Sequence, residues 1–383
     1  MLESSVEQIE LQQKLVKPTL KDEYIFLKKY WGTPWSLFAL IIRIFTFKNI
    51  FKEIPAFLSA SKIKRVNPYA KPESYTAYEN FENFFPDEPF VAVIIPTLNR
   101  YDFLKDVLYD LEKQHHKNFE VVIYDQSDNF NGAFYNQFNL SFKIIHQPEK
   151  LLWTARNNAI KNTSAEYLLF FDDDSRVQPN WISEHLKCIQ FFGADISAGV
   201  SLAAIGQKIS QSYNYFRWAD QFDSGNAMVK RSVFEKIGLF DEQFNGMRMG
   251  DAEFGFRAYM NGFKSISNPN AARVHLKASS GGLREMGSWD GFRPKKWFAP
   301  KPVPSVVFLF KKYFPKHLYT NAIFIGIMLS NISYKQKKSS AMLFLSVLLT
   351  LIKSPVLAVQ YNRSKKIAEK MLLNDNGIKL LQQ

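Results

Sequence analysis

The chain holds one cysteine, Cys188, so an intramolecular disulfide is excluded and a cysteine-built metal centre is disfavoured. No G-x-G-x-x-G follows its first strand-like run, and no G-x-x-x-x-G-K-[ST] occurs anywhere. These absences argue against a nicotinamide enzyme and a P-loop ATPase. Helix-turn-helix, zinc-finger and RNP patterns are missing, so nucleic acid is not an expected partner. No apolar run reaches the roughly 20 residues that span a bilayer. Glu3, Glu7 and Glu10 precede any apolar run, whereas a signal peptide starts basic and then turns apolar. The expectation is a cytoplasmic catalytic domain.

Positive charge is plentiful. The formal net charge is +13, which suits anionic lipid headgroups or phosphorylated small molecules. With 46% hydrophobic and 22% charged residues the composition is globular, not disordered. The 35 Phe and 17 Tyr exceed what one core usually needs, so some rings are expected at a membrane or along a ligand groove.

Three stretches differ in character. Residues 1–88 read as a helical extension ending in a polar, Pro-punctuated linker from Asn67. Trp35–Phe47 is apolar apart from Ser36, Arg43 and Thr46, and lysines follow it. Such a helix either lies in a membrane interface or packs on the main domain. Residues 89–293 alternate short apolar runs with helical stretches, the pattern of an α/β sheet. Strands are predicted at Val91–Ile95, Val121–Tyr124, Lys143–His146 and Tyr167–Phe171. Helices are predicted at Tyr101–Gln114 and Thr154–Lys161. Residues 294–383 mix apolar runs, Ala322–Leu329 and Ala341–Ile352, with many lysines. Lys353 and Pro355 interrupt the second run. This tail is expected to lie on the inner face of the cell membrane as a peripheral, anionic-lipid-binding region, the alternatives being an inserted hairpin and a soluble helical cap.

The chemistry sits where predicted strands end. In open α/β sheets, ligands bind beyond the carboxyl ends of the strands. Val91–Ile95 runs into Pro96-Thr97-Leu98-Asn99-Arg100, Val121–Tyr124 into Asp125-Gln126-Ser127-Asp128, and Tyr167–Phe171 into Asp172-Asp173-Asp174. Any one loop is explained by turn chemistry; three that converge on one edge are not. Three adjacent carboxylates repel, so a positive partner is expected: a hard divalent cation such as Mg²⁺ or Mn²⁺, or Arg176. A cation held by few protein ligands would stabilise a departing diphosphate. Asp251 has two readings, N-cap of a helix starting at Ala252 or general base, and Glu253 is spaced to pair with Arg257.

At these residues the chain resembles the family 2 glycosyltransferases, over roughly residues 90–280. That resemblance implies a GT-A fold, a mixed sheet flanked by helices, and inverting transfer from a nucleotide-sugar donor. The acceptor would be a hydroxyl of a glycan or lipid-linked glycan. It implies that Pro96, Thr97, Asn99, Arg100 and Arg156 (within Ala155-Arg156-Asn157) lie near the nucleotide. It also implies that Asp125 bonds the base and that Asp172 and Asp173 face the ribose and donor sugar. Asp174 would bind the metal, joined by His275. Asn226, in Ser224-Gly225-Asn226, falls in the donor-sugar and acceptor loop, and Asp251 is the implied catalytic base. Two positions depart from the family pattern. Gly250 stands where an acidic residue often precedes the base. Leu151-Leu152-Trp153-Thr154 replaces the usual Gly-rich stretch. The rival readings are a sugar-phosphate nucleotidyltransferase and a non-catalytic glycan-binding protein on the same fold.

Overall fold

A computed structural model describes residues 19–45, 48–66, 76–82, 85, 87–203, 205–210, 213–219, 223–278, 291–293 and 296–381. The Ser279–Gly282 stretch, Arg284 and Trp289 lie outside the described residues. The chain forms two compact units, one from residues 1–70 and 321–359, the other from 71–320 and 360–383. The tail contributes to both units.

The smaller unit is helical. Helix Thr33–Phe45 packs Phe38 and Ile42 against Met328, Ile332, Leu343 and Val347. On another side, Leu40 joins Tyr24 and Ala60 in a second cluster. Helices Ser340–Ile352 and Ser354–Leu373 meet at an 80° bend, where the sequence places Lys353 and Pro355. No single helix among the described residues is long and apolar enough to cross a membrane. The described part of this unit carries thirteen Lys and Arg against three Asp and Glu. Its surface also exposes Phe51 (85%) and Ile352 (76%).

The larger unit is built on a sheet of nine strands among the described residues: β1 Val91–Thr97, β2 Phe119–Asp125, β3 Phe142–His146, β4 Tyr167–Phe171, β5 Ser175–Val177, β6 Ile196–Leu202, β7 Arg217–Trp218, β8 Asn226–Lys230 and β9 Ser265–His275. The order is β3-β2-β1-β4-β8-β6-β9-β5, with β7 also on β9. Strands β1 to β4 run parallel; β8 is antiparallel to both β4 and β6. The sheet is therefore mixed. β1, β2 and β4 are buried along their whole length, which is why they read as continuous apolar runs. Helix α1 (Tyr101–Glu112) turns Leu104, Val107, Leu108 and Leu111 onto the sheet. Helices α2 (Leu152–Lys161), α3 (Trp181–Phe192), α4 (Arg231–Ile237) and α5 (Gly250–Met260) complete the covering layers. The expected linker is partly anchored: Tyr78 is buried among Phe191, Phe192 and Phe216.

Register decides what gathers at the edge. Thr97 lies opposite Asp125, and Phe171 opposite Asn226. Because β8 runs against β4, the segment entering β8 meets the carboxylates leaving β4. Ser175 pairs with His275, which brings the end of β9 to the same place.

Candidate active site

Asp173 is a buried carboxylate. It accepts from Thr97 Oγ1 at 2.8 Å and from Arg100 Nη1 at 3.0 Å. Burial pushes its carboxyl up to about 6; Arg100 opposes that shift and the neighbouring Asp174 charge adds to it. Asp174 is also buried. Its Oδ2 accepts from the Ala278 N–H at 3.0 Å and from Arg100 at 3.4 Å. Burial alone would raise it, but the His275 ring and Arg100 outweigh burial and hold it below the usual carboxylate range. Its Oδ1 has no hydrogen-bond partner, although His275 Nε2 stands 3.2 Å away.

Asp174, its neighbour Asp172 and His275 form a group able to hold a cation. One ligand atom each from Asp172, Asp174 and His275 lie within 4.8 Å of one another. Oxygen and imidazole donors of this kind suit Mn²⁺ or Mg²⁺ better than a soft metal. A buried acceptor is costly to leave unpaired, and a cation removes that cost.

Asp172 is clamped by two buried arginines. Arg156 donates to its Oδ1 at 3.2 Å and Arg273 to its Oδ2 at 2.7 Å. Arg156 also holds the Ser224 hydroxyl at 2.6 Å and carbonyl at 2.8 Å. Arg273 reaches Ser175 Oγ at 2.9 Å, Ser201 Oγ at 2.8 Å and Asp223 at 2.6 Å. Burial would lower the Arg273 pKa, but the Asp223 and Asp172 charges outweigh it and hold the guanidinium firmly protonated. Gly225 is obligatory here: a Cβ would stand 2.1 Å from Asp172 Oδ2 and 2.4 Å from Arg273 Nη1.

The positive partner of the triple Asp is thus not Arg176, which pairs instead with Asp110 at 2.7 and 2.8 Å. Arg100, Arg156 and Arg273 do that work. Arg273 escaped the sequence reading. It is a buried charged side chain within β9.

The remaining candidates divide. Asn99 sits at φ 53°, and its side chain ties Asp128 across the crevice mouth at 2.8 and 3.0 Å. Pro96 is part of the buried strand β1. Asp125 is fully buried and accepts from Tyr101 at 2.6 Å, Tyr135 at 2.8 Å and the Ser127 N–H at 2.9 Å. Asn226 does not offer its amide to the crevice. Its Oδ1 accepts from Trp181 Nε1 at 2.8 Å and lies 3.2 Å from His185 Nε2. Its Nδ2 donates to the Val200 and Ala271 carbonyls at 3.1 and 2.9 Å. These hydrogen bonds all lie inside the protein.

Asp251 does not cap its helix. α5 starts at Gly250, the N-cap is Met249 at φ 76°, and no side chain caps it. The Asp251 carboxylate accepts from the Ser224 N–H at 3.1 Å, which joins it to the loop that Arg156 holds. Glu253 pairs with Arg257 at 2.8 Å, as the spacing predicts. Of the other histidines, His116 is buried against the Pro89 and Asn118 carbonyls. Trp297 is 71% exposed.

Residues 92–253 match the sequence profile of the family described as glycosyl transferase family 2. An O-antigen biosynthesis protein, RfbC, of Myxococcus xanthus is 26% identical over 62% of this chain, but the match spans only 21% of RfbC. Glycosyltransferase AglE of Haloferax volcanii is 25% identical over 40% of this chain and 53% of its own length. Among solved structures, a mannosyltransferase of Pyrobaculum calidifontis in complex with GDP-Man and Mn²⁺ covers 79% of this chain and 93% of its own. Its identity is 15% and its TM-score 0.47.

Proposed function

We propose that this chain, whose residues 92–253 match the glycosyl transferase family 2 profile, moves a sugar from a nucleoside-diphosphate donor to a hydroxyl of a glycan or lipid-linked glycan, inverting the anomeric carbon. The observation that carries this reading is the gathering of Thr97, Arg100, Asp172–Asp174, Asp251 and His275 at one sheet edge.

In this reading Asp174 and His275, with Asp172 beside them, hold Mn²⁺ or Mg²⁺. A cation there supplies charge compensation to the departing diphosphate. Thr97, Asn99, Arg100 and Asp125 border the nucleotide. Arg156 and Arg273 hold Asp172 fixed toward the donor sugar, so its geometry is set before the donor arrives. Asp251 takes the proton of the acceptor hydroxyl as that oxygen attacks opposite the leaving group. One displacement inverts configuration. Asp251 has no acidic neighbour at position 250, so a single carboxylate carries this role.

The chain is proposed to act in the cytoplasm, seated on the membrane's inner face. The support is the excess of ten positive charges among the helical unit's described residues and its exposed Phe51, Leu58, Leu351 and Ile352. Flotation with anionic and neutral vesicles tests this; equal absence from both removes the membrane seat.

Thermal shift and donor hydrolysis with UDP-, GDP- and dTDP-sugars plus Mn²⁺ test the reaction. One donor is expected to raise the melting temperature, the shift vanishing with chelator and in Asp174→Ala. Asp251→Asn is expected to keep that shift and lose transfer. A donor shift that ignores both chelator and Asp174→Ala would sink the metal assignment.

A further inference from the structure

Trp153 is buried, at 3% exposure, and its ring lies against the backbone of Gly250. A Cβ added at Gly250 would stand 2.2 Å from the ring's Cζ2, 2.4 Å from Cε2 and 2.8 Å from Nε1. No side chain fits at 250 while the ring is there. The two departures from the family pattern noted in the sequence, Trp153 and Gly250, are therefore one contact.

The turn that the ring braces is the one that presents Asp251. It has no side-chain cap, and Met249 enters it in the left-handed region. Trp153 is itself fixed. Its Nε1–H donates to the Phe244 carbonyl at 3.1 Å, and its backbone N–H to Asn245 Oδ1 at 2.8 Å. Its ring lies 5.0 Å from Phe240. The Arg156 guanidinium stacks 5.1 Å from the indole. The same guanidinium holds Ser224, whose N–H donates to Asp251. The contacts close a loop from Trp153 through Gly250 and Asp251 to Ser224, Arg156 and back.

We infer that Trp153 is a positioning residue for Asp251: the indole sets the height of the helix's first turn, and through Arg156 it sets the Ser224 N–H that aims the carboxylate. The inference rests on Asp251 being the base. A displacement of about 1 Å in a reacting group costs up to about 100-fold in rate, so the brace acts on turnover and not on donor binding.

The test is a cycle of Trp153→Ala, Gly250→Ala and the double variant, with Asp251→Asn alongside. Each is read for kcat, donor KM, the pH dependence of kcat, and melting temperature. Gly250→Ala is expected to lower kcat by at least about 10-fold with donor KM changed by less than about 3-fold. The double variant is expected to be no slower than Trp153→Ala alone, since the methyl then occupies space the ring left. Trp153→Phe, which keeps a ring and loses the Phe244 bond, is expected between the two. Should Gly250→Ala not fold, Trp153→Ala and Trp153→Phe carry the same kcat-against-KM comparison. Additive losses, or losses confined to donor KM, overturn the inference while a silent Asp251→Asn overturns the base itself. An Asp251→Asn that abolishes transfer beside additive Trp153 and Gly250 losses leaves the base standing and removes only the brace.

Discussion

Replacing Arg273 with Met keeps most of the side-chain volume and removes the charge. Two carboxylates, Asp172 and Asp223, then face each other's neighbourhood without their shared guanidinium, and Ser175 and Ser201 lose a donor. Breaking a buried ion pair from one side costs about 3–5 kcal/mol. Here the Asp223 and Asp172 side chains are 32% and 16% exposed, so water solvates part of the orphaned charge. The loss is therefore expected near the lower end, about 3 kcal/mol. For a domain of this size, each kcal/mol lowers the melting temperature by about 2–4 °C, which gives about 6–12 °C in all. Calorimetric or circular-dichroism melts at pH 7.5 in chelator measure it, with Arg273→Lys expected to fall between the two because it keeps charge but not the fork. A drop under about 2 °C for Arg273→Met would refute the claim that this guanidinium holds the acidic edge together.

Other outcomes follow from single contacts. Gly225→Ala forces a methyl into the Asp172–Arg273 pair and is expected to cut turnover at least about ten-fold, so wild-type kinetics would count against that clamp. Thr97→Val strips Asp173 of a 2.8 Å bond and is expected to cost about 1–3 kcal/mol in urea unfolding; a neutral result would mean the hydroxyl is idle. His185 is held down at about 4 by burial, opposed by its bonds to Asn226 and Ser197. The unfolded ring takes its proton near 6.5, so this contribution to stability is full above pH 6.5. It is lost as pH falls toward 4, by about 3 kcal/mol in all. Imidazole ¹⁵N spectra are expected to show His185 neutral at pH 5.5, and a His185 titration midpoint near 6.5 would contradict its buried setting.

The sheet's centre was legible because β1, β2 and β4 are buried on both faces and so spell unbroken apolar runs. The carboxylates were legible because they follow those runs directly. Arg273 was not, since β9 reads Ser-Ile-Ser-Asn-Pro-Asn-Ala-Ala-Arg-Val-His, with neither a continuous nor an alternating apolar pattern. Arg176 misled for a related reason. Between buried Ser175 and Val177 it points to the opposite face, where Asp110 waits. Asn226 lies at the predicted loop, but pairing with Phe171 turns its amide into the sheet, and only register reveals that. Asp251 looked like a cap because Asp favours that position; the left-handed Met249 moves the helix start back and frees the carboxylate. The tail's division between two units depends on long-range packing that no local run encodes.

The order in which the acidic edge acquires its counter-ions has a consequence during synthesis. Arg273 and His275 lie about a hundred residues after Asp172–Asp174. At roughly 5–20 residues per second, a growing chain carries those three carboxylates for several seconds before their distal partners leave the ribosome. Until then, among the described residues, Arg100 and Arg156 are the arginines in place beside them, so a nascent chain halted before β9 holds a half-built crevice.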